Sequence, residues 1–112
     1  MSLQKWDILE VQVSPEHRDR HPVVLISPPG VIDNYPQVNV LMGTTKRPAE
    51  DLRRGRVLLD EADGLDHLMA VNCLFMHSIS TEDLTQASLL GQVSEKRREA
   101  IRRLLAQAFI AS

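Results

Sequence analysis

The sequence contains few of the residues that would indicate a disulfide framework, a thiolate metal site or a membrane anchor. Its one cysteine, Cys73, excludes an internal disulfide and leaves too few thiolates for a zinc knuckle. No apolar run reaches membrane-spanning length, and charged residues interrupt the N-terminal segment where a signal peptide would need an apolar core. We therefore expect a cytoplasmic protein that has no membrane association, no metal and no other cofactor.

Charge, glycine and aromatic content exclude further classes of site. The net charge is −2, so the overall charge does not indicate a nucleic-acid partner. The five glycines are scattered and form neither a phosphate-binding loop nor a Rossmann turn. One tryptophan, one tyrosine and two phenylalanines offer few surfaces on which bases could stack. A chain of 112 residues supports one hydrophobic core, and we expect a single domain over 1–112.

Alternating and apolar segments predict a mainly β protein. Five strands are expected at 6–13, 22–27, 37–42, 56–60 and 69–75, with the apolar 22–27 at the centre of the sheet. Segments rich in proline, glycine or charge predict loops at 14–21, 28–36 and 43–55 and an acidic turn at 61–67. Because no helix separates these strands, an antiparallel, barrel-like sheet is expected.

The end of the chain changes to a helical period. Ser80 and Asp83 have the spacing of a capping box and predict a short helical turn, which Gly91 separates from the last element. Ser94 can cap a final amphipathic helix, whose apolar residues are Ile101, Leu104, Leu105, Ala108 and Phe109. This helix is expected to cover the open side of the sheet.

Candidate functional side chains stand at the predicted strand ends. Arg18, Arg20 and His21 precede the apolar second strand, where cations can neutralise a phosphate and a histidine can exchange a proton near neutral pH. Thr44 and Thr45 end the third strand and offer hydroxyls to a phosphate oxygen. His77 follows the fifth strand, on which Asn72 is exposed. A loop histidine or a strand-end threonine can equally be structural.

Other clusters favour structural interpretations. His17 and His21 have a metal-ligand spacing for a helix, but flanking prolines argue against a helix and no third ligand is evident. The carboxylates at 60, 61, 63 and 66 are typical of a solvated turn rather than a calcium loop. The basic residues of the last helix form a solvated face, and the alternation of Cys73 with apolar neighbours places it in the core.

The order of the segments adds an observation that no single motif provides. The succession is WDILEV, then EHRDRHPVVLIS, VNVLMGTT, VLLDEADGLDHLMAVNCLF and LLGQVSEKRREAIRRLLAQAF. It resembles the MazF/PemK-type toxins of bacterial toxin–antitoxin modules over nearly the whole chain. The resemblance implies an SH3-like barrel with a terminal helix, a homodimer and a metal-independent endoribonuclease that cuts single-stranded RNA. A cognate antitoxin would inhibit the enzyme by occupying the RNA groove.

The resemblance also implies roles for individual residues. His21 occupies the place of an arginine before the proline of the second strand, with Arg20 one position earlier and Glu16 at the place of a loop glutamate. On this basis His21 and His77 share acid and base roles, and Arg20 stabilises the phosphorane charge. Thr44 or Thr45 orients the phosphate. The residues expected to bind substrate are Glu16, Arg18, Lys46, Arg47 and Asn72.

The missing charges on the fifth strand and the slightly acidic net charge leave an alternative open. Asn72 and Leu74 stand where some members have an arginine and an aspartate, and Trp6 replaces a usual glycine. A family-like fold without catalysis, which binds RNA, DNA or a protein, is therefore the second hypothesis. The third is an unrelated small barrel with an interaction role.

Overall fold

Six antiparallel strands form one curled sheet. The computed structural model describes residues 2–14, 17–50 and 54–109, and for 13, 14 and 17–19 the backbone only. The strands are β1 (Asp7–Ser14), β2 (His17–Leu25), β3 (Gln37–Thr44), β4 (Arg56–Leu59), β5 (Met69–Ser80) and β6 (Ser88–Gln92). Their order in the sheet is β4-β5-β3-β2-β1-β6. The mainly β prediction is confirmed, and β2 is one of the two central strands as expected.

Among the described residues, three α-helices flank the sheet: α1 (Pro29–Asn34), α2 (Thr81–Thr85) and α3 (Glu95–Phe109). A 3-10 turn spans Glu61–Asp63. Helix α3 begins directly after Ser94, whose carbonyl accepts the N–H groups of Arg97 and Arg98. The prediction of a C-terminal helix is confirmed. The apolar stripe of α3 is buried at Ile101, which is inaccessible to solvent. At the end of the helix it is not buried, since Phe109 is 49% exposed. The short turn after Ser80 is also confirmed, although the Ser80 side chain makes no capping hydrogen bond there.

The predicted loop at 14–21 is wrong, because β1 and β2 pair beyond the buried part of the sheet. The ladder pairs Val11 with His21 and Gln12 with Arg20, and it continues to the pair of Ser14 with His17. The prediction of a loop rested on the polar composition, but hydrogen bonds between strand backbones do not require apolar side chains.

Two other segments also differ from their predictions. The 28–36 segment contains α1, because Pro29 occupies the first helical turn, where its fixed φ suits a helix, and Pro36 follows the helix end. Strand β6 was not predicted, and Gly91 lies within it rather than separating two elements. A Cβ atom on Gly91 would lie 2.2 Å from the carbonyl oxygen of Asp63, so this close approach requires glycine.

The sheet buries apolar side chains on both faces. Helix α3 covers one face, where a core forms around Trp6, Ile8, Val24, Leu41, Leu59, Met69, Val71, Cys73, Val93 and Ile101. Helices α1 and α2 cover part of the other face, above Leu9, Val11, Val23, Leu25, Val38 and Val40. The second face is therefore covered at one end only, and its other end carries polar side chains.

Trp6 joins the first strand to helix α3 in an unusual conformation. Its φ is 78°, a region that glycine adopts freely and that a bulky side chain rarely adopts. The side chain is only 5% exposed. The guanidinium groups of Arg98 and Arg102 lie 5.9 and 5.3 Å from its ring centroid, and the Lys5 ammonium lies at 5.4 Å. Burial and these cation–π contacts stabilise the strained backbone and hold α3 against β1.

Asp63 is the buried centre of a polar clamp at the start of α3. Its carboxylate accepts the backbone N–H groups of Asp60 and Ser94 at 2.9 and 2.8 Å. Arg97 donates to Asp63 at 2.9 Å and binds Asp60 through two further hydrogen bonds. The predicted solvated turn is therefore wrong for Asp63, which is 1% exposed and ties the 61–63 turn to α3. Arg97 likewise does not belong to a purely solvated basic face.

We expect Asp63→Ala to lower the free energy of unfolding by about 3 kcal/mol, because it leaves buried N–H donors and the Arg97 guanidinium without their acceptor. Urea denaturation measures the change. Glu61→Ala, at an exposed position of the same turn, is the matched control and should be neutral. Equal stability of the two variants would contradict the role of Asp63.

The clamp should also depend on pH through Asp60. The hydrogen bond from Arg97 holds the pKa of Asp60 below its usual value of 3.8. A lowered carboxylate pKa contributes stability that is present above the usual value and is lost as the pH falls through the lowered one. Asp60→Asn should therefore destabilise the protein at neutral pH and lose this effect in strong acid. Denaturation of both proteins across this pH range measures it, and a pH-independent difference would be inconsistent.

Candidate functional site

The part of the second sheet face that α1 and α2 leave uncovered carries three of the predicted site residues. Val23 pairs with Met42, so His21 and Thr44, each two residues further along, lie side by side on the same face of β2 and β3. Thr44 pairs with Ala70, and Asn72 follows two residues later on that face. Asn72 pairs with Arg56 of β4. We call His21, Thr44, Arg56 and Asn72 the polar face.

The prediction that His77 follows the fifth strand is wrong, because β5 extends to Ser80 and includes His77. The residue lies on the same side of the sheet as the polar face but in a different row. It pairs with Val40, which is four residues from Thr44 along β3. Four residues of a strand span about 13 Å, and β3 lies between β5 and β2. Within one chain, the register therefore places His21 beside Thr44 and leaves His77 at a distance from both. Both histidines are exposed to solvent.

Arg20 diverges from its neighbour His21, because successive residues of a strand point to opposite faces. Its exposed side chain lines a cleft of about 450 Å³ beside α2. The other polar residues of this cleft are Glu10, Gln12, Asp83 and Gln86. Arg20 therefore faces two carboxylates, and the fold does not place it beside the imidazole with which it was grouped by sequence.

The loop after β3 holds the remaining predicted residues. The Thr44 hydroxyl accepts the backbone N–H of Lys46 at 3.3 Å, which fixes the oxygen at the strand end. The side chains of Thr45, Lys46 and Arg47 are exposed. Arg47 has a positive φ of 51°. Glu16 lies outside the described residues, as does the side chain of Arg18.

Asn72 has a structural task that the sequence analysis missed. Gly43 pairs with Val71 and Leu41 pairs with Met76, so the four β5 residues from Asn72 to Phe75 lie opposite Met42 alone. This irregularity is the β5 bulge, defined as residues 72–75. The Asn72 side-chain oxygen accepts the N–H of Leu74 at 3.0 Å and stabilises the bulge. The tendency of asparagine to bond to the backbone two residues on was the available signal.

The turn before β4 supports the bulge from outside. The Cys73 N–H donates to the Gly55 carbonyl at 2.8 Å. Gly55 has a φ of 89°, and a Cβ atom there would lie 2.4 Å from Cγ of Leu74. Glycine is therefore required at this contact both for its φ and for space. Because Gly55 stands between Arg54 and Arg56, the same contact brings two cationic residues close to the bulge.

Charge is distributed unevenly around the sheet. Lys46, Arg47 and the exposed Arg54 belong to the loop between β3 and β4, and Arg56 lies on the polar face. The carboxylates of 60, 61, 63 and 66 lie past the other end of β4, where Arg97 binds two of them. Although the net charge is −2, cationic residues therefore cluster at one corner of the sheet. We define this basic corner as Lys46, Arg47, Arg54 and Arg56.

Two further classes of feature are absent from the described part of the chain. No group of three or more histidine, cysteine, aspartate or glutamate residues that could hold a metal ion occurs within 2–14, 17–50 and 54–109. Over the same ranges, no helix combines the length and the hydropathy needed to cross a membrane.

Solved structures share this fold. A mycobacterial endoribonuclease in complex with its cognate antitoxin superposes with a TM-score of 0.78 at 18% identity, over 96% of this chain and 94% of that chain. The Mycobacterium tuberculosis toxin MazF-mt6 has a TM-score of 0.71 at 22% identity, over 92% and 95%. A MazE-MazF structure from Deinococcus radiodurans has 0.77 at 13%, over 100% and 99%. The architecture is therefore that of MazF-type toxins.

Sequence comparison identifies the family itself. Residues 4–109 match the family described as PemK-like, MazF-like toxin of type II toxin-antitoxin system. None of the curated proteins is significantly similar to the chain in sequence. The chain belongs to the PemK/MazF-like toxin family, which confirms the resemblance found from the order of the segments.

Cys73 is part of the core and not of the polar face. Its side chain is inaccessible, and burial raises the pKa of the thiol to about 12. Since the thiolate is the reactive form, we expect no labelling of native protein by a thiol-specific disulfide reagent at pH 8 and complete labelling in denaturant. Absorbance of the released chromophore measures both. Rapid labelling of the native protein would contradict the burial of Cys73.

Proposed function

We propose that the protein is the toxin of a toxin–antitoxin pair and that it cleaves single-stranded RNA without a metal ion. The observation that carries the proposal is the pairing register, in which an exposed imidazole at His21 and the Thr44 hydroxyl occupy neighbouring strands on one face. The basic corner beside them favours a polyanion, since phosphates are bound mainly by lysine and arginine. Family membership supports the same class of activity.

The polar face offers groups for cleavage through the ribose 2′-hydroxyl. His21 takes the proton of that hydroxyl, whose oxygen attacks the adjacent phosphorus and forms a 2′,3′-cyclic phosphate. Thr44 donates a hydrogen bond to a phosphate oxygen, and Arg56 offers positive charge to the phosphorane. The bond to the 5′-oxygen breaks, and that oxygen receives a proton from an acid. His77 is the proposed acid, and because its own chain separates it from His21, a second copy is the proposed source.

This assignment fits a homodimer in the cytoplasm that is inhibited by a cognate antitoxin. A structural relative was solved in complex with its cognate antitoxin, which supports the search for such a partner here. A single buried cysteine suits a reducing compartment. Glu16, Arg18, Lys46 and Arg47 remain proposed contacts to RNA, and Arg20 and Thr45 remain proposed members of the catalytic set.

A second candidate function follows from Asn72 and Leu74. The Asn72 side chain is engaged in the bulge and Leu74 is apolar, so neither supplies charge or a proton to the polar face. A protein that binds RNA, DNA or another protein without cleaving is therefore the alternative. RNA binding without cleavage would favour it over the ribonuclease.

The test is incubation of pure protein with a long unstructured RNA in EDTA, followed by mapping of new 5′ ends. We expect cuts at a recurring short sequence, and a loss of about 100-fold or more in rate for His21→Ala, since a positioned acid or base contributes about 10²–10⁴-fold. Thr44→Val should also slow cleavage while preserving the strand. Undiminished cleavage by His21→Ala would contradict the assignment of this residue.

Two controls separate chemistry from folding. Tyr35→Leu alters an exposed side chain at the other end of β3 and should cleave as the original protein does. Mixing inactive His21→Ala with inactive His77→Ala should restore part of the activity if the two imidazoles come from different copies. Absence of cuts by the original protein, with its circular dichroism intact, would favour the binding module.

A further inference from the structure

The β5 bulge projects apolar side chains into solvent next to the basic corner. Phe75 is 63% exposed, and its neighbours Leu74 and Met76 are 40% and 39% exposed. Only two other aromatic side chains of the described residues are comparably exposed, Tyr35 at 62% and Phe109 at 49%. Phe75 differs from these two rings because exposed apolar neighbours on both sides make it part of a contiguous patch, and contiguous apolar patches can mark binding sites.

The bulge is rigidly built, as a binding surface requires. Within the bulge, the Asn72 side chain accepts a hydrogen bond from the N–H of Leu74. The Cys73 N–H donates to the carbonyl of Gly55, which precedes the neighbouring strand β4. Cys73 itself is inaccessible and anchors the segment in the core. The exposed ring of Phe75 therefore stands on a fixed backbone next to the Asn72 end of the polar face.

We propose that Phe75 is a stacking surface for an unpaired base of the RNA whose backbone lies along the polar face. We infer a nucleic acid as the ligand from the charges next to the bulge. Arg54 and Arg56 precede and follow Gly55, which contacts Leu74. Proteins that bind single-stranded nucleic acids combine aromatic rings, on which bases stack, with cationic side chains, which bind the phosphates. This inference rests on the proposed function and names a base-binding position within it.

The three side chains of the patch are too small in area to form a dimer interface by themselves. A fully exposed large side chain offers about 150–250 Å², so the three partly exposed side chains offer roughly 300 Å² in total. A stable interface buries about 800 Å² on each partner. One base stacked on Phe75, with Leu74 and Met76 at its edges, matches the smaller area.

The experiment compares binding of two oligonucleotides by fluorescence anisotropy. The first is a short single-stranded 2′-O-methyl RNA, which lacks the attacking hydroxyl and is not cleaved. The second has the same backbone and length but no bases. We expect Phe75→Leu to weaken binding of the first by roughly tenfold and to leave binding of the second unchanged, because stacking on one base is typically worth that factor.

Two variants complete the comparison. Phe75→Trp keeps a stacking ring and should bind the first oligonucleotide as tightly as the original protein does. Tyr35→Leu removes an equally exposed ring outside the proposed site and should have no effect. Light scattering of Phe75→Leu should give the mass of the original protein.

The outcomes distinguish this inference from the proposed function. If the original protein cleaves RNA and Phe75→Leu binds both oligonucleotides normally, only the inference is wrong. A reduced mass for Phe75→Leu would instead identify the patch as an interface between copies and would overturn the inference. Base-dependent binding that Phe75→Leu loses, by a protein that never cleaves RNA, would support the inference and contradict the ribonuclease. No binding of either oligonucleotide would overturn both.

Discussion

Strand β5 is the element on which both the sheet and the candidate site depend. Its first part pairs with β4 and with the end of β3, and its second part pairs with the beginning of β3. A regular strand could not pair with β3 in both registers, so the extra residues of β5 form the bulge. The bulge places Phe75 in solvent, engages the Asn72 side chain and sets His77 opposite Val40.

Charge is organised by the same architecture. Two of the four carboxylates after β4, those of Asp60 and Asp63, bind Arg97, which joins the sheet to α3. Arg98 and Arg102 pack against Trp6. Three of the arginines of α3 are thereby used for structure. The cations of the loop between β3 and β4 stand apart from these acids, beside His21 and Thr44. A slightly acidic protein therefore presents a basic surface where the proposed RNA would bind.

The fold was largely predictable, and the failures have physical causes. The apolar segment within β2 and the helical period of α3 are local patterns that burial enforces, so both predictions are confirmed. The outer hairpin of β1 and β2 was not predicted because its backbone pairing does not require an apolar pattern in the sequence. Strand β6 was not predicted because it exists through pairing with β1, more than 75 residues away in sequence, and has no buried apolar alternation of its own.

The sequence predicted which residue types the candidate site contains, but it did not predict which of these residues lie together. The sequence by itself determined the strand-end position of Thr44, the apolar alternation that buries Cys73 and the family to which the chain belongs. Only the tertiary structure decided that His21 adjoins Thr44 while Arg20 faces a different cleft, and that Asn72 supports a bulge. The physical reason is that a strand's period fixes which side chains share a face, whereas register and bulges, which arise from pairing between distant segments, fix which of them meet.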